Sequence, residues 1–290
     1  MNRRTVTRSL VALAVGGLAL VGASQPAAAQ EIQITGPLAG APAVRKLRLH
    51  REGRFEVAPA VSFTLLDEYR RTLFAGGRLQ YNVKDWLGIG VWGAFGALQT
   101  TTDLTDQIDK QALRNSRTAS NVSGKPGADQ FKSQVGQIDW VAAPQVQFVP
   151  FRGKLSLFQN IFVDTDAYLH LGVAFAGVKE RGDCGGQGQP LCTTPQSFTA
   201  VSRTAVAPTF GLGLNFYTGN LVSIGIEYRA LPFSWNRGGF DSRGAGPNGK
   251  YPNGLAGSPV VNSEDRTFKF NQMVTLAVGF SLPTKPKSSD

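Results

Sequence analysis

His170 is the one histidine inside a regularly alternating stretch, with Asp164 and Asp166 shortly before it. In a strand, alternate residues share a face, so all three lie on one side. An imidazole with a carboxylate behind it is the base-and-orienter half of an acyl-transfer site. The nucleophilic half, an activated serine, is marked by no motif. A hydrogen-bonded His–Asp pair explains the same residues without chemistry, so no catalytic residue is assigned and no enzyme is expected. Cys184 and Cys192 are the two cysteines. With no histidine nearby they do not make a zinc site, and a disulfide is expected. Gly88, Gly90, Gly93 and Gly96 lack the lysine and following helix of a nucleotide loop, and suit close packing instead. Arg237, Arg243, Lys250 and Arg266 lie in or beside one loop with no nucleic-acid recognition element. They read as solvated loop charge, with bidentate contact to phosphate as an addition. No cofactor and no metal are implied.

The element that must position these residues is a strand near the end of the chain. Thr267–Leu282 alternates strictly: Phe268, Phe270, Gln272, Val274, Leu276, Val278, Phe280 and Leu282 on one face, smaller or polar residues on the other. Period-two alternation of this length means one strand with two environments. One face is too apolar for a water-exposed sheet edge, so the strand needs neighbours on both sides. The first strand of the chain is the available partner, and their pairing would close a barrel.

Composition agrees. The 290 residues contain 34 glycines and only 17% charged residues, which favours an all-β chain rich in turns. Residues 1–29 read as a signal peptide: Arg3, Arg4 and Arg8, an apolar Leu10–Val21, and a small-residue cleavage site ending at Ala29. Its removal takes three arginines and no acid, lowering the net charge from +10 to +7. The remainder has no apolar run long enough for a membrane-spanning helix. Residues 30–53 are expected to be a periplasmic lead-in and residues 283–290 a tail. The barrel itself is placed at residues 54–282.

Eight alternating stretches are expected: Arg54–Leu65, Thr72–Val83, Trp86–Gln99, Gln137–Pro150, Asp164–Val178, Thr204–Tyr217, Leu221–Phe233 and Thr267–Leu282. Ile138, Trp140, Val146 and Phe148 are assigned outward in the fourth. Phe151–Val163 fits neither strand nor loop clearly. The connections alternate between short turns and long polar loops, with only the first on the long side brief. Antiparallel up-and-down transmembrane barrels have this parity, with short periplasmic turns and long outer loops. A soluble barrel would turn its apolar face inward and cover its outside with Lys and Glu. Here the second face is mostly Gly, Ala, Ser, Thr, Asn and Gln, which suits the crowded lumen of an eight-stranded barrel.

Alternation then points Glu56, Arg78, Asp139, Asp166, His170, Glu227, Arg229 and Lys269 inward. Isolated charges in that space are costly, so a paired lumen network is expected. The pairings anticipated are Glu56 with Arg78, and Glu227 with Arg229 or an arginine from across the barrel.

The stretch VRKLRLHREGRFEVAPAVSFTLLDEYRRTLFAGGRLQYNVKDWLGIGV, followed by GKLSLFQNIFVDTDAYLHLGVAF, resembles an outer-membrane β-barrel domain family abundant in myxobacteria and related Gram-negative bacteria. The hairpin Tyr81–Gly88 and a turn at Gly153-Lys154 carry the resemblance most clearly. It implies location in the outer membrane and this architecture, and it implies no activity. Phe280 matches the terminal aromatic that barrel-assembly machinery reads, although Pro283–Asp290 follow it. The expected role is a monomeric structural or surface-interaction barrel with a plugged lumen, its partners being outer-membrane lipid, lipopolysaccharide and the assembly machinery. A narrow pore or transporter component is the first alternative, and a lipid A-modifying barrel enzyme the second.

Overall fold

A computed structural model describes residues 51–111, 130–157, 161–192, 194–243 and 259–283. Among the described residues eight strands follow one another: β1 (Phe55–Leu65), β2 (Arg70–Lys84), β3 (Leu87–Thr101), β4 (Gln137–Leu157), β5 (Ile161–Arg181), β6 (Ala200–Tyr217), β7 (Val222–Trp235) and β8 (Thr267–Leu282). Each pairs antiparallel with its neighbours in sequence, and β1 pairs with β8, closing the barrel. The signal segment with Ala29, most of the lead-in, Lys250 and residues 284–290 lie outside the described residues.

Burial alternates along every strand as a two-environment wall requires. Val57, Leu79, Ile89, Leu171, Ile224 and Leu276 face out and are exposed, while Glu56, Gln80, His170, Ser223 and Thr275 face in and are buried. Aromatic pairs mark both rims of the apolar belt. Phe55 and Tyr81 meet at 4.7 Å and Trp86 and Phe148 at 5.8 Å near the turns, with Phe210 and Phe270 at 6.0 Å towards the loops.

Two bulges shift the phase of β4. One, between Ile138 and Trp140, turns Ile138 into the lumen although even spacing assigns it outward. The other, between Phe148 and Phe151, lets the strand continue to Leu157. The stretch 151–163, ambiguous in sequence, therefore completes the β4–β5 hairpin on either side of residues 158–160. Gly153 and Lys154 sit inside it, opposite Thr165 and Asp164, rather than in a turn. The 21 residues of β5, at about 3.3 Å each and tilted by about 45°, stand about 50 Å tall, roughly twice the apolar belt of such barrels. β5 and β6 stay paired up to Arg181 and Ala200, so this hairpin projects beyond the belt at the loop end.

Glycines on the lumen face provide room for neighbouring side chains. A Cβ on Gly211 would come 2.6 Å from His170 Cε1, and one on Gly213 2.4 Å from Tyr168 Cζ. These two side chains of β5 thus lie flat over the bare backbone of β6.

The seam between first and last strands carries its own fastening. Arg54 donates from Nε to the Pro283 carbonyl (3.0 Å) and from Nη2 to the carbonyls of Ser281 (3.2 Å) and Asn220.

Candidate functional site

The lumen is layered from the turn end upward. Nearest the turns, Arg51 donates to Asp166 at 3.2 Å and lies 3.6 Å from Glu56. By sequence alone Arg51 belongs to the lead-in, outside the barrel. The backbone just before β1 doubles back, with the Gly53 amide on the Asn82 carbonyl, and carries the arginine inside. The Asp85 carboxylate in the β2–β3 turn accepts the amides of Arg51 and Glu52 at 2.8 and 3.1 Å and holds this fold-back in place. Burial works against its charge, but those amides and the Arg152 guanidinium win, keeping its pKa below the ordinary aspartate value.

The middle layer is a continuous ionic network. Glu56 pairs with Arg78 at 2.6 Å, and Arg78 reaches Glu227 at 3.1 Å. Glu227 also accepts from Tyr168 Oη at 2.8 Å and from Arg229 Nη2 at 2.6 Å. Arg229, 0% exposed, further donates to Thr209 and Gln145 and stacks 4.4 Å from the Trp92 ring. Strands on opposite sides of the barrel thereby share one set of charges. His170 is 3% exposed, and its Nδ1 lies 3.9 Å from Glu227. Asp166 is engaged by Arg51 and, more distantly, by Arg152. The His170–Asp166 dyad considered from the sequence is thus not formed.

Two of the expected lumen charges lie elsewhere. Asp139 is the bulge residue of β4 and turns to the rim, where it pairs with Lys179 at 2.9 Å. Lys269 sits at the loop-side rim, partly exposed, 3.5 Å from Glu68. Neither joins the central network, because the strands there have already risen past its level.

Above the network the interior becomes apolar. Ile138, Val141, Ala174, Ala176, Ala205, Ala207, Leu231, Phe233, Trp235 and Met273 form a buried cluster with Phe74 and Trp92. Sequence alternation contained this signal, since Phe74, Trp92 and Met273 all fall on the glycine- or polar-bearing faces.

The described parts of the long connections form a folded cap. Between β3 and β4, helix α1 (Asp103–Gln111) follows Thr102, and the short α2 (Gln130–Gln134) brings Phe131 edge-on to Tyr69 at 5.6 Å. A disulfide joins Cys184 and Cys192, with Cα atoms 5.0 Å apart, and a β-bridge ties Cys184 to Val261 of the β7–β8 connection. Beneath them Arg181 is buried with carbonyl rather than carboxylate partners: Ser197 at 2.9 Å, Gly239 at 2.8 Å and Cys192 at 2.5 Å. One guanidinium therefore links two loops, and Gln134 contributes from a third at 3.4 Å. Of the loop cations singled out in the sequence, Arg237 reaches Asn271 and lies 3.6 Å from Asp67, Arg243 pairs with Glu264, and Arg266 lies 3.4 Å from Glu180. Each of these three has a partner within the protein, those of Arg237 and Arg266 lying on the barrel strands β8 and β5.

An exterior of exposed Leu, Ile, Val and Phe around a charged interior is stable only with lipid outside. The chain is a membrane-spanning eight-stranded barrel.

No protein-family model matches the chain, and no curated protein matches it. Among solved structures it is similar to the N-terminal β-barrel domain of Pseudomonas aeruginosa OprF, at 10% identity over 80% of this chain and 98% of that one, with a TM-score of 0.39. It is similar to OprG of the same species at 11% identity over 82% and 99%, with a TM-score of 0.39. It is also similar to Ail, the attachment invasion locus protein of Yersinia pestis, at 15% identity over 80% and 99%, with a TM-score of 0.29.

Proposed function

We propose that this protein is an integral outer-membrane barrel whose lumen is plugged and whose work is done by the cap it holds at the cell surface. The single observation behind this reading is the Glu56–Arg78–Glu227–Arg229 network, which spans the interior with no charge left without a counter-charge. The apolar layer above it is a second barrier to ions. The short turns face the periplasm and the long connections face outward, as in bacterial barrels generally. Membrane lipid and lipopolysaccharide surround it, and the barrel-assembly machinery inserts it as a monomer. A filled barrel supplies a rigid footing, and the Arg181 clasp with the disulfide fixes the loops in one arrangement suited to contact with a surface partner.

Planar-bilayer recording tests the plug. Purified wild-type protein is expected to give no steady single-channel currents. Steady unitary conductance, lost on heat denaturation of the protein, would overturn the reading in favour of a narrow pore.

A further inference from the structure

We propose that the barrel wall opens sideways between β6 and β7, and that the opening admits one acyl chain from the surrounding lipid. The two strands run from Ala200 to Tyr217 and from Val222 to Trp235, yet they pair with each other only from Tyr217–Ser223 to Phe210–Ala230. Beyond that point both remain fully paired on their other sides, β6 with β5 up to Ala200 and β7 with β8 up to Trp235. The strands do not fray; only the ladder between them stops, and the lumen-side residues behind it stay buried.

The cause is legible in the register. Continued by two residues, the ladder would set Pro208 directly opposite Pro232. Proline has no N–H to donate, and two of them face to face remove both donors from that rung. The stretch without rungs, where the wall would open, is bounded. Its lower edge is the last paired rung, beside the Phe210–Phe270 contact. At its upper edge Arg203 crosses from β6 to the Ser234 carbonyl of β7 at 3.1 Å, anchored to Glu180 at 2.6 Å.

Both sides of the window are apolar. Outside, the exposed Val206 continues the lipid-facing belt, and inside lie Ala205, Ala207, Leu231, Phe233 and Trp235. A strand from a second copy would find no main-chain donor at Pro208 or Pro232, the first rung it would have to make on either edge. An acyl chain needs no hydrogen bonds and matches the lining on each side. The Phe210–Phe270 pair places this stretch at the rim of the belt, where unpaired main-chain groups can be met by interfacial water.

This inference rests on the membrane reading, and tryptophan quenching separates the two. Four variants each keep one of the four tryptophans, the others being replaced by phenylalanine. Each is reconstituted in phosphatidylcholine vesicles with either brominated or plain acyl chains, and folding is verified by heat-modifiable mobility. Trp86 faces out, so retention of its emission in brominated vesicles would sink the membrane reading itself. Trp92 and Trp235 are both buried in the lumen, but only Trp235 borders the window. Emission from Trp235 is expected to be lost in brominated vesicles while that of Trp92 persists. The double variant Pro208→Val/Pro232→Val, free to zip the ladder, is expected to restore Trp235 emission; Pro208→Val alone serves if the double variant does not fold. Should the single-tryptophan proteins not fold, the difference in quenchable emission between wild type and Trp235→Phe reads the same quantity. Equal behaviour of Trp92 and Trp235, or quenching of Trp235 that survives the proline substitutions, overturns the window. A cross-linked dimer that the proline substitutions abolish, with Trp235 unquenched, would mean that a second copy fills it and would overturn the acyl chain.

Discussion

Replacing Glu227 with glutamine keeps the shape of the side chain and removes one charge at the centre of the lumen. Glu227 accepts four hydrogen bonds: from Arg78 at 3.1 Å, from Tyr168 at 2.8 Å, and from Arg229 at 3.1 and 2.6 Å. Arg78 keeps a carboxylate in Glu56, but Arg229 keeps only the neutral Thr209 and Gln145. Arg229 is fully buried, so it cannot recover water as compensation. Stranding a buried cation in this way costs about 3–5 kcal/mol. The amide NH₂ also points a donor at a donor, which adds to the loss rather than relieving it. Removing the cation as well should reverse most of the damage, because a well-packed apolar pair is often as stable as a buried ion pair. Glu227→Gln/Arg229→Met is therefore expected to be more stable than Glu227→Gln alone. The measurement is equilibrium urea unfolding in lipid vesicles, followed by tryptophan fluorescence and heat-modifiable mobility, with the midpoint shift read at constant slope. A single variant within about 1 kcal/mol of wild type, or a double variant no better than the single, refutes the claim that these charges are desolvated and mutually dependent.

Leu276→Arg puts a charge on the lipid face of the closing strand and should cost about 2–4 kcal/mol in the same unfolding assay, while Thr275→Arg, one residue away and buried inward, should act by crowding the lumen. Cys184→Ser/Cys192→Ser releases a nine-residue loop, worth about 2.5 kcal/mol in the chain-entropy model, and should raise protease sensitivity between residues 182 and 199 while the barrel keeps its heat-modifiable mobility. The depressed pKa of Asp85 means that its contribution is complete above 3.8, the ordinary aspartate value, and is lost as pH falls through the lower folded value. The amide resonances of Arg51 and Glu52 should accordingly titrate with a midpoint below 3.8, and Asp85→Asn should abolish that titration.

Alternation and loop parity carried most of the fold, because a wall with lipid on one side and packed polar groups on the other imposes period two on every strand. Where that period broke, the reading broke with it. The bulge at Asp139 hid the inward turn of Ile138 and sent the aspartate to the rim, and the second bulge made 151–163 hard to place. Among the lumen charges, Glu56, Arg78, Glu227 and Arg229 were visible because each sits in an unbroken alternating run. Arg51, Arg54 and Arg181 were not. Arg54 and Arg181 are held by backbone carbonyls contributed from other parts of the chain, and a carbonyl leaves no trace in a sequence. Arg51 does meet carboxylates, but only because the chain folds back before β1, where no periodicity announces it.

The fastening at the seam bears on how the barrel comes to exist. Arg54 joins carbonyls of Ser281 and Pro283 that lie 227 and 229 positions further along the chain. No partial barrel can offer those oxygens, since they arrive with the final strand. Until then the guanidinium remains hydrated at the mouth, and its burial coincides with the meeting of first and last strands. The latch thus records completion: a chain stalled at seven strands leaves a cation in water where the finished barrel has none. Closure thus exchanges, around Arg54, water for main-chain carbonyls of the last strand.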